Sequence, residues 1–534
     1  MTDIEIPYEK DRHGWYRFFE ILPGALSWSM LALPFILSLI SVTFAALFIM
    51  IYLLINFTRG VAASIRALHG YRMLREHQKL DWSQFLKELE AGEVTDPGVH
   101  RPKWHYNQLL RQNAQPLAIQ SSEVIHAIIV ATYNESREVV EPTIQSVIDS
   151  EYDMQNVIFI LAYEGRAGEQ IQEQSEALIK KYQHKFRHAM AVKHPRLPDE
   201  VVGKGGNVTY AGRELQKYLQ KNNIDPLRVV VTTLDADNRP DKKYLAALTY
   251  VYVACPDPVR SSFQPISMYT NNIWDAPAPM RVLATGNSFY HIVQSLRPHT
   301  LRNFSSHAQG MASLIETNFW SVRTIVEDGH QFWRAYFRFD GKYRVYPLYV
   351  PIYQDAVLTE SYRKTLKAQF IQLRRWTYGA SDIAYIASKG FLTKNKVPKH
   401  DLIPKFLRSV EGHVSWAVGP LLVLGGGFIP ALFHPQSFAA NELPIIVSRI
   451  QTVGLVGGVA LIFICLKTLP PKPARYRRHR TLFMVLQWAY LPVTTVIYNS
   501  FAAFNSQTRL MFGWYLSKFD VTEKAVVASG DKKK

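Results

Sequence analysis

The sequence predicts an α/β domain with a mostly parallel sheet, set between two groups of membrane helices. Three observations point there. Strand-length apolar runs alternate with helical patterns through the middle of the chain, and long stretches almost free of charge occupy its two ends. Hydrophobic residues make up 48% of the chain against a charged fraction of 20%, a balance that leans toward a partly membrane-embedded protein. At 534 residues the chain exceeds what one compact core holds, so several structural units are expected.

The strand runs are Val124 to Ala131, Val157 to Tyr163 and Val229 to Leu234, the last rich in branched side chains. Between them lie helical patterns at Pro142 to Ser150, Glu169 to Lys185 and Asn207 to Leu219. Such alternation predicts a sheet covered on both faces, whose ligands bind beyond the carboxyl ends of the strands.

At the N-terminus, Ile21 to Phe57 is almost free of charge, with Glu20 before it and Arg59 after it. It is too long for a signal-peptide core and reads as an anchor of one or two helices, with Pro34, Ser38 and Ser41 marking a possible break. Three further apolar segments follow at Val410 to Phe433, Leu443 to Cys465 and Leu482 to Phe504. The basic run between the last two, containing Arg475, Arg477 and Arg480, belongs in the cytoplasm by the positive-inside tendency, while His434 to Asn441 has no Lys or Arg and faces outward. A multi-pass protein of the plasma membrane with its middle in the cytoplasm is expected. Full crossing by the last segment would then leave the tail outside, and Pro492 allows a broken or re-entrant segment instead.

The expected units are an N-terminal segment (1–20), the anchor (21–57), basic linker helices (58–120), the α/β domain (121–355), amphipathic interfacial helices (356–407), a C-terminal membrane region of two to three spans (408–511) and a tail (512–534). The net charge of +17 suits anionic headgroups or polyphosphates; without interleaved basic and aromatic motifs or zinc spacing, no nucleic acid partner is expected. Cys255 and Cys465 alone cannot form a disulfide framework.

Chemistry-bearing residues cluster at the strand ends. Asp235 and Asp237 follow the third strand, and alternation in extended chain lets both carboxylates face one site, where their repulsion calls for a cation. Hard oxygen ligands suit Mg or Mn, with phosphate oxygens filling the remaining positions. Thr132, Tyr133 and Glu135 end the first strand and Glu164 the second, a cradle for a base and ribose or else ordinary turn chemistry. Gly203 to Asn207 (GKGGN) is a glycine-rich turn before a helix that can bring backbone N–H groups and Lys204 to a diphosphate. Glu327 and Asp328 supply either a general base for an acceptor hydroxyl or a helix cap. Gln372, Arg375 and Trp376 share one face of an amphipathic helix from about Leu358 to Tyr378, offering a guanidinium for phosphate and an indole for a sugar ring.

The ordered series ATYNE, YEG, GKGGN, DAD, VEDGH and QLRRW, followed by membrane spans, resembles the membrane-integrated processive branch of glycosyltransferase family 2, which includes cellulose, hyaluronan and chitin synthases. The resemblance implies a Rossmann-like glycosyltransferase A fold and inverting, metal-dependent transfer of a sugar from a UDP- or GDP-sugar to a growing polysaccharide at the bilayer. It further implies that Thr132, Tyr133, Glu135 and Glu164 hold the nucleoside, Lys204 and Arg375 the diphosphate, and Asp237 with Asp235 the Mg or Mn. Asp328 would be the base, although Val326 replaces the Thr of the family's TED motif; Gln372, Arg375 and Trp376 match QxxRW, with Trp376 under the acceptor sugar. Weaker likenesses make Thr285 to Ser288 an acceptor-side loop, with Asn287 and Glu327 on the acceptor, and liken Phe519 to Lys524 to the FxVTxK gating loop of cellulose synthases. Glu164 departs from the family's aspartate. Single-sugar transfer to a polyprenyl phosphate or other lipid, and a scaffold or transporter with a vestigial domain, are the alternatives.

Overall fold

The computed structural model describes residues 4–516 apart from Pro97, Val99, His100 and Arg478. The FxVTxK-like segment Phe519 to Lys524 lies outside the described residues. The strands are β1 (Ile125–Thr132), β2 (Val157–Glu164), β3 (His188–His194), β4 (Val229–Asp235), β5 (Arg239–Pro240), β6 (Ser261–Met268), β7 (His307–Gly310) and β8 (Arg344–Tyr353). They form one mixed sheet in the order β3-β2-β1-β4-β7-β6-β8-β5. The first four pair in parallel, giving the Rossmann-like half, while β7 runs antiparallel to both β4 and β6. The α/β class read from the sequence is the class observed.

Apolar residues of β1, β2 and β4 divide by parity between two cores, as the period of two requires. Ile128, Val130, Phe159, Leu161 and Val230 face one core; Ala127, Ile129, Ile158, Ile160 and Val231 face the other, with Val208, Ala211 and Leu215 of the Lys204–Lys221 helix. Burial on both faces explains why these strands read as continuous apolar runs. The registers pair Ala131 with Asp235, Thr132 with Tyr163, and Glu164 with His194, so four polar strand ends open on one edge of the domain.

Among the described residues, five helices are long and apolar enough to cross a membrane: Gly14–Ile40, Val42–His77, Lys399–Phe433, Phe438–Thr468 and Arg480–Phe512. The N-terminal apolar stretch divides at Ser41, and its second helix runs on to His77. The fifth helix is irregular. A 3₁₀ turn at Gln487–Tyr490 precedes Pro492, which lacks an N–H for the helical ladder, and a π segment follows at Thr495–Ser500. Near its start, Arg480 donates to the Trp274 carbonyl (2.8 Å) and Gln487 accepts from Arg281 (2.5 Å). Further along, Ser506 donates to the Arg374 carbonyl (2.5 Å), and Leu510 packs with Ile325, Val326 and Tyr378. Both ends of this helix therefore rest on the α/β domain or on the Tyr362–Thr377 helix that carries Arg374.

Candidate active site

Asp235 is the last residue of β4, and its carboxylate is already engaged. Lys204 donates to Oδ1 at 2.6 Å and Ser305 to Oδ2 at 2.5 Å. Asp237 follows in the turn, 5% exposed, its Oδ2 accepting the Asp355 N–H at 3.1 Å. In the amide orientation that satisfies both of its ends, Asn238 donates to Asp237 Oδ1 (3.2 Å) and accepts the Asp235 N–H (3.1 Å). The turn that carries both carboxylates is thereby fixed.

Glu327 and Asp328 occupy the first turn of the Glu327–Arg338 helix, with Val326 at the cap and no side-chain cap. Burial raises the Glu327 carboxyl to about 8, Asp328 adding to the rise and Lys204 opposing it. Burial likewise raises Asp328, against the pull of Lys204 and of the Gly329 N–H that its Oδ1 accepts at 2.7 Å. Lys204 is held protonated: burial opposes its charge, but Asp235, Glu327 and Asp328 together raise its pKa.

Tyr269 lies at the centre of this group. Burial raises its phenol, and Asp235, Asp237 and Asp328 raise it further, while Arg375 acts in the opposite direction. Three carboxylates and one guanidinium from three separate segments thus act on a single ring. Trp376 stands beside it at 6.2 Å between ring centroids. Gln372, on the same helix, accepts from Gln369 at 3.1 Å.

The residues at the ends of β1 and β2 form a second set. Arg166 stacks over Tyr133 at 4.0 Å and donates to Glu164 at 3.2 Å. His194 lies 3.4 Å from Glu164 and 3.0 Å from Glu200, and these two carboxylates overcome its burial to raise its pKa to about 9. Glu135 accepts the Tyr133 N–H at 2.7 Å, closing its own turn. Thr132 donates to the Ala162 carbonyl at 3.4 Å, and Asn207 donates to the same carbonyl at 3.0 Å, so β1, β2 and the Lys204–Lys221 helix are tied together.

Two segments differ from the sequence reading. GKGGN is not a turn before a helix: the helix starts at Lys204 itself. Its glycines serve close packing, since a Cβ on Gly205 would stand 2.3 Å from the Ser321 carbonyl and one on Gly206 2.8 Å from Glu200. Thr285 to Ser288 is not a loop but the middle of the Ala278–Ser295 helix. Asn287 is half-buried there, and among the described residues no hydrogen bond joins it to Asp235, Asp237 or Asp328. Its neighbour Ser288 accepts the Tyr269 N–H at 3.0 Å and so helps to set the central ring.

Residues 4–8 brace the helix that carries Asp328. Glu5 accepts from Ser321 and pairs with the fully buried Arg334 (3.3 Å), which lies on the same helix as Asp328. Arg323 donates to the Ile6 carbonyl (3.1 Å) and the Tyr8 hydroxyl (2.8 Å), while Tyr385 donates to the Ile4 carbonyl (2.7 Å).

Among the described residues, no three His, Cys, Asp or Glu side chains gather as a ready-made metal site. The donor set at Asp235 and Asp237 is two carboxylates. It fits a hard divalent cation whose other ligands are phosphate oxygens or water.

No protein-family model and no curated relative matches the chain. Among solved structures it is similar to the mannosyltransferase PcManGT from Pyrobaculum calidifontis in complex with GDP-Man and Mn2+, with 14% identity, 82% of this chain and 98% of that chain covered, and a TM-score of 0.41. It is also similar to S. aureus TarS 1-349 in complex with UDP-GlcNAc, with 11% identity, 74% and 93% coverage and a TM-score of 0.35. For GalNAc-T7 with UDP, GalNAc and Mn2+ the values are 11%, 56% and 58%, and 0.31.

Proposed function

We propose that the chain is an inverting glycosyltransferase that moves a sugar from a UDP- or GDP-sugar onto a growing polysaccharide at the plasma membrane. The reading rests on one observation: at the carboxyl edge of a parallel half-sheet, Asp235, Asp237, Asp328 and Arg375 act on Tyr269 while Lys204 donates to Asp235 and acts on Asp328, bringing four segments together. The ordered motifs that resemble processive family 2 enzymes support it independently.

In this reading the nucleoside lies against Tyr133 and Glu164, and its diphosphate faces Lys204 and Arg375. Asp237 and Asp235 would hold Mg or Mn, which when bound supplies positive charge to the leaving diphosphate. The acceptor hydroxyl, stacked near Trp376 with Gln372 beside it, attacks the anomeric carbon. Its oxygen forms the new glycosidic bond, the bond to the diphosphate oxygen breaks with the electron pair leaving on phosphate, and the proton passes to the Asp328 carboxylate. Burial raises the affinity of Asp328 for that proton, while Lys204 and Arg375 keep part of its anionic character. Glu327 stays protonated at neutral pH and presents a donor to the acceptor side.

Orientation follows from the fifth helix. Its start bonds to Trp274 and its end packs with Ile325 and Val326, which supports a re-entrant path; with four crossing helices, the domain and residue 516 would then share one side, in this reading the cytoplasm. The test is turnover of nucleotide sugars by purified protein with Mg or Mn. Asp237→Ala and Asp328→Asn are each expected to lower transfer at least about 100-fold, and a ladder of oligomers is the expected product. Near wild-type turnover by Asp237→Ala would refute the metal assignment, and a single lipid-soluble product would replace the polymer with a lipid acceptor.

A further inference from the structure

Where the apolar helices meet the α/β domain, cations outnumber anions. His299, Arg302, Lys405 and Arg408 line one small open depression, together with Thr300 and Phe332. Arg297 and Arg66 stand close enough that, after burial, their mutual repulsion and that of Arg408 depress the Arg297 guanidinium. His299 is lowered too, by burial first and then by Arg297, Arg408, Arg66 and Lys405. Lys405 pairs with Asp401 and Arg302 stacks over Trp333 at 4.5 Å. Among the described residues, Arg66, Arg297 and Arg408 form no ion pair.

Cations that repel one another are retained at a cost unless an anion joins them. The position of the cluster selects the anion. Arg66 lies on the Val42–His77 helix beside the exposed Ile65 and Leu68, and Arg408 on the Lys399–Phe433 helix beside the exposed Leu407. Charged heads with flanking apolar side chains match a phosphate headgroup whose acyl chains run along the helices. We propose that this basic cluster is a binding site for the phosphate headgroup of an anionic membrane lipid, held by Arg302 and Arg408 of the depression with Arg297 near Arg408. The site rests on the membrane reading of the five helices and is independent of the transferase reading.

Thermal unfolding of the full chain in detergent tests it. Mixed micelles containing phosphatidylglycerol are expected to raise Tm saturably, phosphatidylcholine not to, and high salt to shrink the gain. Arg297→Gln/Arg408→Gln should abolish the rise, while Lys472→Gln/Arg477→Gln, which removes two cations of the basic loop elsewhere, should keep it. Equal gains from both lipids, or an unchanged gain in the first double variant, would overturn the proposal. A matching rise with inorganic phosphate alone would assign the cluster to a soluble anion and overturn the lipid source. Should the first double variant not fold, native mass spectrometry of wild type must find phosphatidylglycerol retained in preference to phosphatidylcholine, and no preference overturns the site.

Discussion

Replacing Glu327 by Gln turns the buried carboxyl cluster into a pH experiment. The Glu327 carboxyl moves from an ordinary value of 4.5 to about 8 in the folded chain, chiefly through burial and then through Asp328. A carboxyl whose folded value lies above its unfolded one favours folding when protonated. Its contribution is therefore complete below 4.5 and is lost as pH rises through about 8. Within that interval the loss runs at about 1.4 kcal/mol per pH unit, approaching about 5 kcal/mol at full ionisation. Gln keeps the shape and neutrality of the protonated acid and cannot ionise. Thermal unfolding of both proteins in the same detergent over a pH series should give similar Tm values near the acid end and a growing advantage for Glu327→Gln toward pH 8, with a plateau above. His194, raised to about 9 between Glu164 and Glu200, contributes stability that is present below 6.5 and lost through about 9, but it is common to both proteins and cancels in the difference. A difference that stays flat with pH, or that falls as pH rises, would refute the buried-carboxyl argument.

Gly205→Ala should lower stability by about 1 to 3 kcal/mol, because its new Cβ meets the Ser321 backbone carbonyl and not a side chain that can swing away; an unchanged Tm would show that the Ser321 segment is free to retreat. Since Cys255 and Cys465 are both buried, new thiols report sidedness cleanly. Ala474→Cys and Trp514→Cys should react with an impermeant maleimide from the same side of sealed vesicles and Gln436→Cys from the other, whereas opposite labelling of positions 474 and 514 would mean that the fifth helix crosses. Lys204→Met should leave Asp235 without its ammonium and reduce donor turnover more than Lys204→Arg does, measured as released nucleotide; equal activity in both variants would remove Lys204 from the diphosphate site.

The parallel half of the sheet was readable because both faces of β1, β2 and β4 are buried, which leaves unbroken apolar runs. β3 was not, since His188 and Lys193 interrupt its pattern at the sheet edge. β6 hides for another reason: Ser261, Ser262, Gln264 and Ser267 are buried polar residues that find partners only within the assembled sheet. The Asp235 and Asp237 pair could be located from the strand before it. Tyr269, Ser305 and Asp355 carry no local signal, because they reach the site through pairings between distant segments. The glycines of GKGGN suggested a flexible turn from composition alone, yet they are helical, and what demands them is the backbone of Ser321.

The brace formed by residues 4–8 has a consequence for the order of synthesis. Glu5, Ile6 and Tyr8 bond to Ser321 and Arg323 across separations of 316, 317 and 315 residues. These residues leave the ribosome long before Ser321 and Arg323 are made, so the helix that follows them forms while their partners do not yet exist. Contacts this remote in sequence form late. The helix bearing Asp328 can reach its final support only after most of the polypeptide has been made, so an unfinished chain would sit in the membrane with its chemistry still unassembled.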